Sequence, residues 1–447
     1  MAAALMVAGC QDQVPPQAAQ VKPTPQAPVV APPPIKQEPL KPTGPQPLLG
    51  VGAQPDLVKV ALLAPLSGPQ AGLGQSLANA AELAVSDMGG DAFALLPVDT
   101  AGPGGAHVAA QNALAQGATL LLGPVFAADV QAAAPVAQAA GTPVLSFSSD
   151  LTVAAPGVNV LGFLPRQQAA RVAQYAVSQG IKRFAILAPD TGYGHLMADA
   201  FKTALAGPQG TNPQGADVAR TAFYGLDVTR LPYVVSTLSD YESRKKAWAA
   251  ANPTMAPPPP PPGQKPPPPG TVVFAEAIGQ VPFEALFIPE GGQRLHQLLA
   301  LLKQENVDLS HVRLLGPMLW DDADAQGDPL LAGGWYPAPA PEAQGKFQDR
   351  YQKLFGAKPP AIAGLGYDAA SLAAVLAKGG GPQPFTAANL TKDSGFAGTN
   401  GLFRLLPDGS VERGLAVVEI RAPKPAVVSP APDAFAPIAP STATPTN

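Results

Sequence analysis

Between residues 57 and 315, short apolar runs alternate with stretches of helical periodicity, and this alternation limits the fold more than any other feature. Residues 57–64 read as a buried strand and 74–88 as an amphipathic helix. Strands at 93–98, 119–122 and 143–147 then flank helices at 106–116 and 127–140, and 158–164 leads out of the set. A second set follows, with helices at 166–179, 194–205 and 293–306, and strands at 183–188, 218–224, 285–289 and 312–315. A charged-faced helix at 228–251 belongs to it. Apolar runs this short, separated by helices, predict βαβ units around a parallel sheet buried on both faces. Two sets of similar size predict an α/β fold of two doubly wound, Rossmann-like lobes. Charged residues are only 13% of the chain, in keeping with small apolar side chains at helix–sheet contacts.

Proline sets the limits of this region. The chain holds 56 prolines, of which thirteen lie in 11–55 and eleven in 253–270. Such segments cannot bury apolar surface, and they favour extended polyproline II. Residues 11–55 therefore read as a disordered tether able to reach roughly 140 Å at ~3.1 Å per residue, or as a polyproline ligand for a partner. Residues 253–270 read as a surface insertion and 422–447 as a disordered tail. The net charge of −4 comes without a lysine or arginine block, so no nucleic-acid partner is expected. No run of apolar residues is long enough to span a membrane as a helix.

Cys10 is the one cysteine, which excludes an intrachain disulfide and a cysteine-built metal site. It ends the stretch Val7-Ala8-Gly9-Cys10, which resembles the lipobox of bacterial lipoproteins; the alternative is a short apolar segment with an incidental cysteine. The resemblance implies that 1–10 is a signal remnant, that Cys10 carries the lipid, and that the protein sits in the periplasm. Gln11 after the cysteine suggests the inner leaflet of the outer membrane. Met1 opens directly into the apolar part without a basic segment, so the natural start is expected upstream.

No acid, base and nucleophile assemble in the sequence. Gly72-Leu73-Gly74 lacks the third glycine of a dinucleotide loop, where Leu77 stands. His107, His195, His296 and His311 have no metal-ligand spacing, and Asp321, Asp322 and Asp324 do not follow a calcium-loop pattern. Ser146, Ser148 and Ser149 lack a nucleophile elbow. No catalytic residue, metal or cofactor is therefore expected. What remains is a set of polar turns after strands, carrying Ser67, Gly68, Pro124, Phe126, Ser148, Ser149, Asp150 and Tyr193. In open α/β sheets ligands bind beyond the strands' carboxyl ends, so these turns either face one cleft or are ordinary strand–helix connections.

The segment Val60-Ala61-Leu62-Leu63-Ala64-Pro65-Leu66-Ser67-Gly68 resembles the opening of the leucine-binding family of type I periplasmic binding proteins. So do Leu122-Gly123-Pro124, Gly141-Thr142-Pro143-Val144-Leu145-Ser146, Tyr193-Gly194 and Tyr367-Asp368-Ala369. The resemblance implies two lobes joined by three crossovers, with 56–164 and 320–396 in lobe 1 and 165–319 and 397–421 in lobe 2. It adds Glu290 and Tyr367 to the candidate cleft, Glu290 being nearest to the family's acidic residue for an ammonium. Where amino-acid-binding members hold a carboxylate with serine and threonine, this chain has Ala127 and Asp150. Tyr241-Glu242-Ser243-Arg244-Lys245-Lys246, the stretch 283–292 and Gly334-Trp335-Tyr336-Pro337-Ala338-Pro339 are similar to penicillin-binding protein activators of the bacterial envelope. That similarity implies a bifunctional penicillin-binding protein as partner. The alternative it leaves is the substrate-binding component of an ABC transporter for amino acids or another small polar ligand.

Overall fold

The computed structural model describes residues 57–437 apart from 89–92, 208–209, 213, 252–277 and 380. Cys10 and its lipobox, the tether 11–55, the insertion 253–270 and residues 438–447 lie outside the described residues.

Lobe 1 opens with β1 (Lys59–Ala64), α1 (Ala71–Asp87), β2 (Ala94–Asp99), α2 (Gly105–Ala115), β3 (Ala118–Leu122), α3 (Ala127–Ala139), β4 (Val144–Ser146) and β5 (Val158–Val160). The strands form a parallel sheet in the order β2-β1-β3-β4-β5. Residues 60–64 of β1 are fully buried, as the run Val-Ala-Leu-Leu-Ala requires of a central strand covered on both faces.

Lobe 2 repeats the scheme. It contains α4 (Pro165–Ser178), β6 (Arg183–Pro189), α5 (Gly192–Ala206), β7 (Asp217–Tyr224), α6 (Leu231–Ser239), α7 (Tyr241–Ala251), β8 (Ala285–Phe287), α8 (Gly292–Gln304), β9 (Arg313–Leu315), α9 (Ala323–Gly327) and β10 (Trp335–Ala338). Its parallel strands run in the order β7-β6-β8-β9-β10, the same winding as in lobe 1. Alternation along β6 divides two cores. Phe184, Ile186 and Ala188 pack with α4 and α5, while Ala185 and Leu187 pack with α6 and α8.

The chain then returns to lobe 1 as α10 (Pro341–Phe355), α11 (Ala363–Gly379) and α12 (Ala387–Leu390). A small antiparallel sheet follows, made of β11 (Phe396–Gly398), β12 (Gly401–Leu405) and β13 (Val411–Arg413). Finally β14 (Ala416–Glu419) extends the second sheet antiparallel to β10, and β15 (Ala426–Ser429) pairs antiparallel with β14. The three passages lie at 161–164, 339–340 and 414–415.

Four expectations change. Residues 320–338 belong to lobe 2 rather than lobe 1, because β10 completes the second sheet and Tyr336 and Ala338 fill its core. Residues 397–413 belong to lobe 1, because Phe403, Leu405 and Val411 enter its core. The helix at 228–251 is two helices, broken at Asp240, whose φ of 56° is left-handed; aspartate tolerates this better than most residues. The tail is ordered over 422–437, where Val427 and Ala426 pair with Val418 and Glu419. That strand is too short and too close to prolines to stand out in the sequence.

Arg244 explains one of the motifs. Its Nη1 donates to the carbonyls of Gly279 and Asn306, both at 3.0 Å, and its Nη2 to that of Glu305 at 2.7 Å. It thereby ties α7 to the carbonyl end of α8, where a cation is favoured by the unpaired carbonyls and the helix dipole.

Candidate functional site

Both sheets present their carboxyl ends to the hinge. The first passage leaves β5 at its carboxyl end and enters α4, whose far end leads to the amino end of β6. At the start of α4, the Gln168 side chain accepts from the Met318 N–H at 3.0 Å, so the turn after β9 is held beside the passage. Turns after β1, β3, β4, β6 and β8 therefore lie around the inter-lobe region.

On lobe 1 the predicted turns are knitted to one another. The Ser146 hydroxyl donates to the Pro124 carbonyl at 3.0 Å and accepts from the Ser148 N–H at 3.0 Å. The Ser148 hydroxyl accepts from the Asp150 N–H at 3.1 Å. The Asp150 carboxylate accepts from the Thr152 N–H at 2.9 Å and the Thr152 hydroxyl at 2.7 Å, capping a single helical turn. Ser67 and Gly68 are exposed at the turn after β1, and Ser149 is exposed after β4. Phe126 stands 41% exposed at the N-cap of α3.

Asp99, which the sequence reading missed, organises this wall. Its Oδ1 accepts from the N–H groups of Leu66, Ser67 and Ala101 at 2.8, 3.3 and 2.9 Å. Burial pushes its carboxyl up, but the Ser67 hydroxyl and these three N–H groups outweigh that and hold it below the usual carboxylate range. An acidic residue directly after a predicted strand was the available signal.

Lobe 2 contributes a different set. Tyr224, the last residue of β7, donates its hydroxyl to Glu290 Oε2 at 2.6 Å. Glu290 Oε1 accepts from the Gly291 N–H at 3.1 Å, and its carbonyl accepts from Trp320 Nε1 at 2.9 Å. The Tyr193 phenol is pushed up to about 12, first by burial and then by the Glu290 carboxylate. Tyr224 is raised further, by burial and by its bond to Glu290. Beside them His195 Nε2 meets Asp190 Oδ1 at 2.8 Å, and its ring packs at a tilt against Phe223. Tyr224 went unpredicted because the last residue of an edge strand carries no motif of its own.

Tyr367 does not join the cleft. It lies on α11, donates to Asp87 Oδ2 at 2.9 Å at the end of α1, and packs edge-on against Phe347. Because α1 runs antiparallel to β1, Asp87 marks the opposite end of the lobe. Two of the three aspartates after β9 also serve the fold: Asp322 caps α9, and Asp321 accepts from the Tyr336 hydroxyl at 3.0 Å. Among the described residues no group of His, Cys, Asp or Glu could hold a metal ion, and no helix is long and apolar enough to cross a membrane.

Comparisons fit this architecture. Residues 57–235 match the family model for periplasmic binding proteins. A putative branched-chain amino acid ABC transporter from Rhodospirillum rubrum is 16% identical, with a TM-score of 0.65 over 83% of this chain and 100% of that one. A solute binding protein of an ABC transporter from Rhodopseudomonas palustris BisB5, in complex with 3,4-dihydroxy benzoic acid, is 19% identical, with a TM-score of 0.55 over 84% of this chain and 96% of that one. Full-length LpoA from Haemophilus influenzae is 16% identical, with a TM-score of 0.59; the likeness covers 84% of this chain and 59% of LpoA. No curated protein matches the sequence. Two lobes of identical winding, three passages between them and these likenesses together give the chain the type I periplasmic binding protein fold.

Proposed function

We propose that this chain is a non-catalytic lipoprotein of the bacterial envelope whose two-lobed module binds and activates a bifunctional penicillin-binding protein. Cys10 carries its lipid in the outer membrane, and residues 11–55 are its tether. The observation that carries the reading is the lobe 1 wall. Ala127 offers no hydroxyl, and Asp150 places a carboxylate, already engaged with Thr152, where a ligand carboxylate would need donors. A missing hydrogen bond to charge is worth about 1.5–3 kcal/mol. Added like-charge repulsion weakens a micromolar site by about a hundredfold or more, at about 1.4 kcal/mol per tenfold. The similarity of the 241–246, 283–292 and 334–339 segments to penicillin-binding protein activators supports the partner class, and the shared fold with LpoA is consistent with it.

The second reading is a substrate-binding component of an ABC transporter, and the Tyr193–Tyr224–Glu290 set favours it, since a carboxylate flanked by phenols suits an ammonium or hydroxyl group. Titration calorimetry of the full-length protein against the common amino acids, run beside glycan polymerisation and crosslinking assays with a bifunctional synthase, separates the two. Stimulated synthesis without amino-acid heat is the expected result. Micromolar binding of an amino acid with synthesis unchanged would replace the regulator by the transporter component.

A further inference from the structure

After β15 the chain crosses the hinge once more. Its lobe 2 anchor is Arg171 on α4, whose Nη2 donates to the Ser429 hydroxyl at 2.6 Å and the Pro430 carbonyl at 3.3 Å. The same side chain donates through Nε to the Leu415 carbonyl at 2.7 Å, within the third passage. Tyr175, also on α4, donates to the Val428 carbonyl at 3.4 Å. Pro432 then lies against Gly414, beside that passage.

The far anchor belongs to lobe 1. Arg404 on β12 is only 5% exposed and is held across the small sheet by Glu412, with Nε–Oε2 at 2.8 Å. Its remaining nitrogen, Nη1, donates to the Ala436 carbonyl at 2.7 Å, and its guanidinium lies 4.7 Å from the centre of the Phe435 ring. Phe403, its neighbour on β12, is part of the lobe 1 core. One segment thus bonds to lobe 2 at 428–430 and to lobe 1 at 435–436.

We propose that residues 426–436 are a strap that fastens the two lobes across the hinge and restricts the angle between them. An opening that moves Arg171 and Arg404 apart has to be absorbed by the four residues 431–434 between the two anchors. A fully extended residue spans at most about 3.6 Å, so opening beyond the reach of this stretch must break the Arg404 anchor or unzip β15. Breaking it forfeits a hydrogen bond from a charged donor and a cation–aromatic contact, each worth more in this half-buried setting than at an open surface. The strap goes beyond the functional reading above, since it concerns hinge mechanics whichever ligand or partner the module takes.

The test uses the full-length chain with Cys10→Ser and two reporter cysteines at exposed sites, Val375→Cys on lobe 1 and Tyr233→Cys on lobe 2. Spin labels there report the inter-lobe distance distribution. A chain ending at Ala431 keeps β15 and the Arg171 anchor and loses only the traverse; a chain ending at Pro437 keeps the whole strap. The distribution is expected to broaden about twofold in the first and to stay unchanged in the second. Should the shorter chain fail to fold, Phe435→Ala in the full chain is expected to broaden it in the same direction. An unchanged width after loss of the traverse, or after Phe435→Ala, overturns the strap. Equal broadening in both shortened chains overturns it as well, because the cause would then lie beyond residue 437.

Discussion

At the carboxyl end of the first sheet, Asp99, Ser146, Ser148 and Asp150 all direct their side chains to neighbouring backbone. At the same end of the second sheet, Tyr193, Tyr224 and Glu290 gather around one carboxylate instead. The strand order is the same in both lobes, so winding decides where a site can lie and the side chains decide which lobe can use it. On lobe 1 these side chains are engaged by backbone, while on lobe 2 the Glu290 carboxylate is shared with a phenol. The two carboxylates Asp368 and Glu290 give the contrast its scale. Asp368, on α11, accepts from the Thr399 and Asn400 N–H groups, the Thr399 hydroxyl and the Asn400 amide, and faces Arg413 at 4.0 Å with neither side chain exposed. Glu290 is half-buried with one phenol and one N–H on it.

The largest expected effect tests the engaged carboxylate. Asp368→Ala leaves the buried Arg413 guanidinium without its counter-charge, and Arg413 Nη1 already lacks a hydrogen-bond partner. Removing one partner of a buried pair costs about 3–5 kcal/mol, to be read in chemical denaturation. A loss under about 1 kcal/mol would show that the bonds of Arg413 to the Leu161 carbonyl suffice alone.

An intermediate effect tests the equivalence of the two windings. Gly74 in α1 and Gly194 in α5 stand at the same place in each lobe, and a methyl on either would overlap the carbonyl oxygen of Pro65 or Pro189 at the end of the preceding strand. Gly74→Ala and Gly194→Ala are each expected to cost about 2–3 kcal/mol, because the helix must move off the strand despite alanine's better helix propensity. A neutral result in one lobe alone, in thermal unfolding, would break the equivalence.

The smallest effect concerns the open set. Tyr224→Phe is expected to lower stability by about 1 kcal/mol, because water can replace the lost phenol on the half-exposed Glu290. Calorimetric unfolding of the variant checks it. A loss of about 3 kcal/mol would mean that Glu290 is as engaged as Asp368 and that lobe 2 holds no reserve.

The two parallel sheets were legible because β1, β3, β6 and β8 are short apolar runs between helices, a pattern that burial on both faces imposes. Elements answering to non-local partners were not. β10 carries Pro337 and does not read as a strand, yet it pairs with β14 and completes the second sheet. β15 is half-exposed and adjoins prolines, so only its pairing with β14 reveals it. At the site, Ser67, Pro124, Ser148, Asp150 and Tyr193 entered the candidate cleft from their positions after strands, and Glu290 from the family resemblance. Asp99 and Tyr224 were missed because their roles depend on groups that approach from other elements. Tyr367 was misplaced for a similar reason: its motif matched, but α11 turns it toward Asp87.

β5 is the last strand of the first sheet, and its outer side is closed by the turn between β12 and β13. The Val160 N–H donates to the Gly409 carbonyl at 2.8 Å, and the Asn159 amide donates to the Leu406 carbonyl at 3.3 Å. Unpaired strand margins invite a second chain to add its own strand, and crowding on a surface raises that tendency. Closing this margin from within the chain keeps a second chain from adding its strand at that edge of the first sheet.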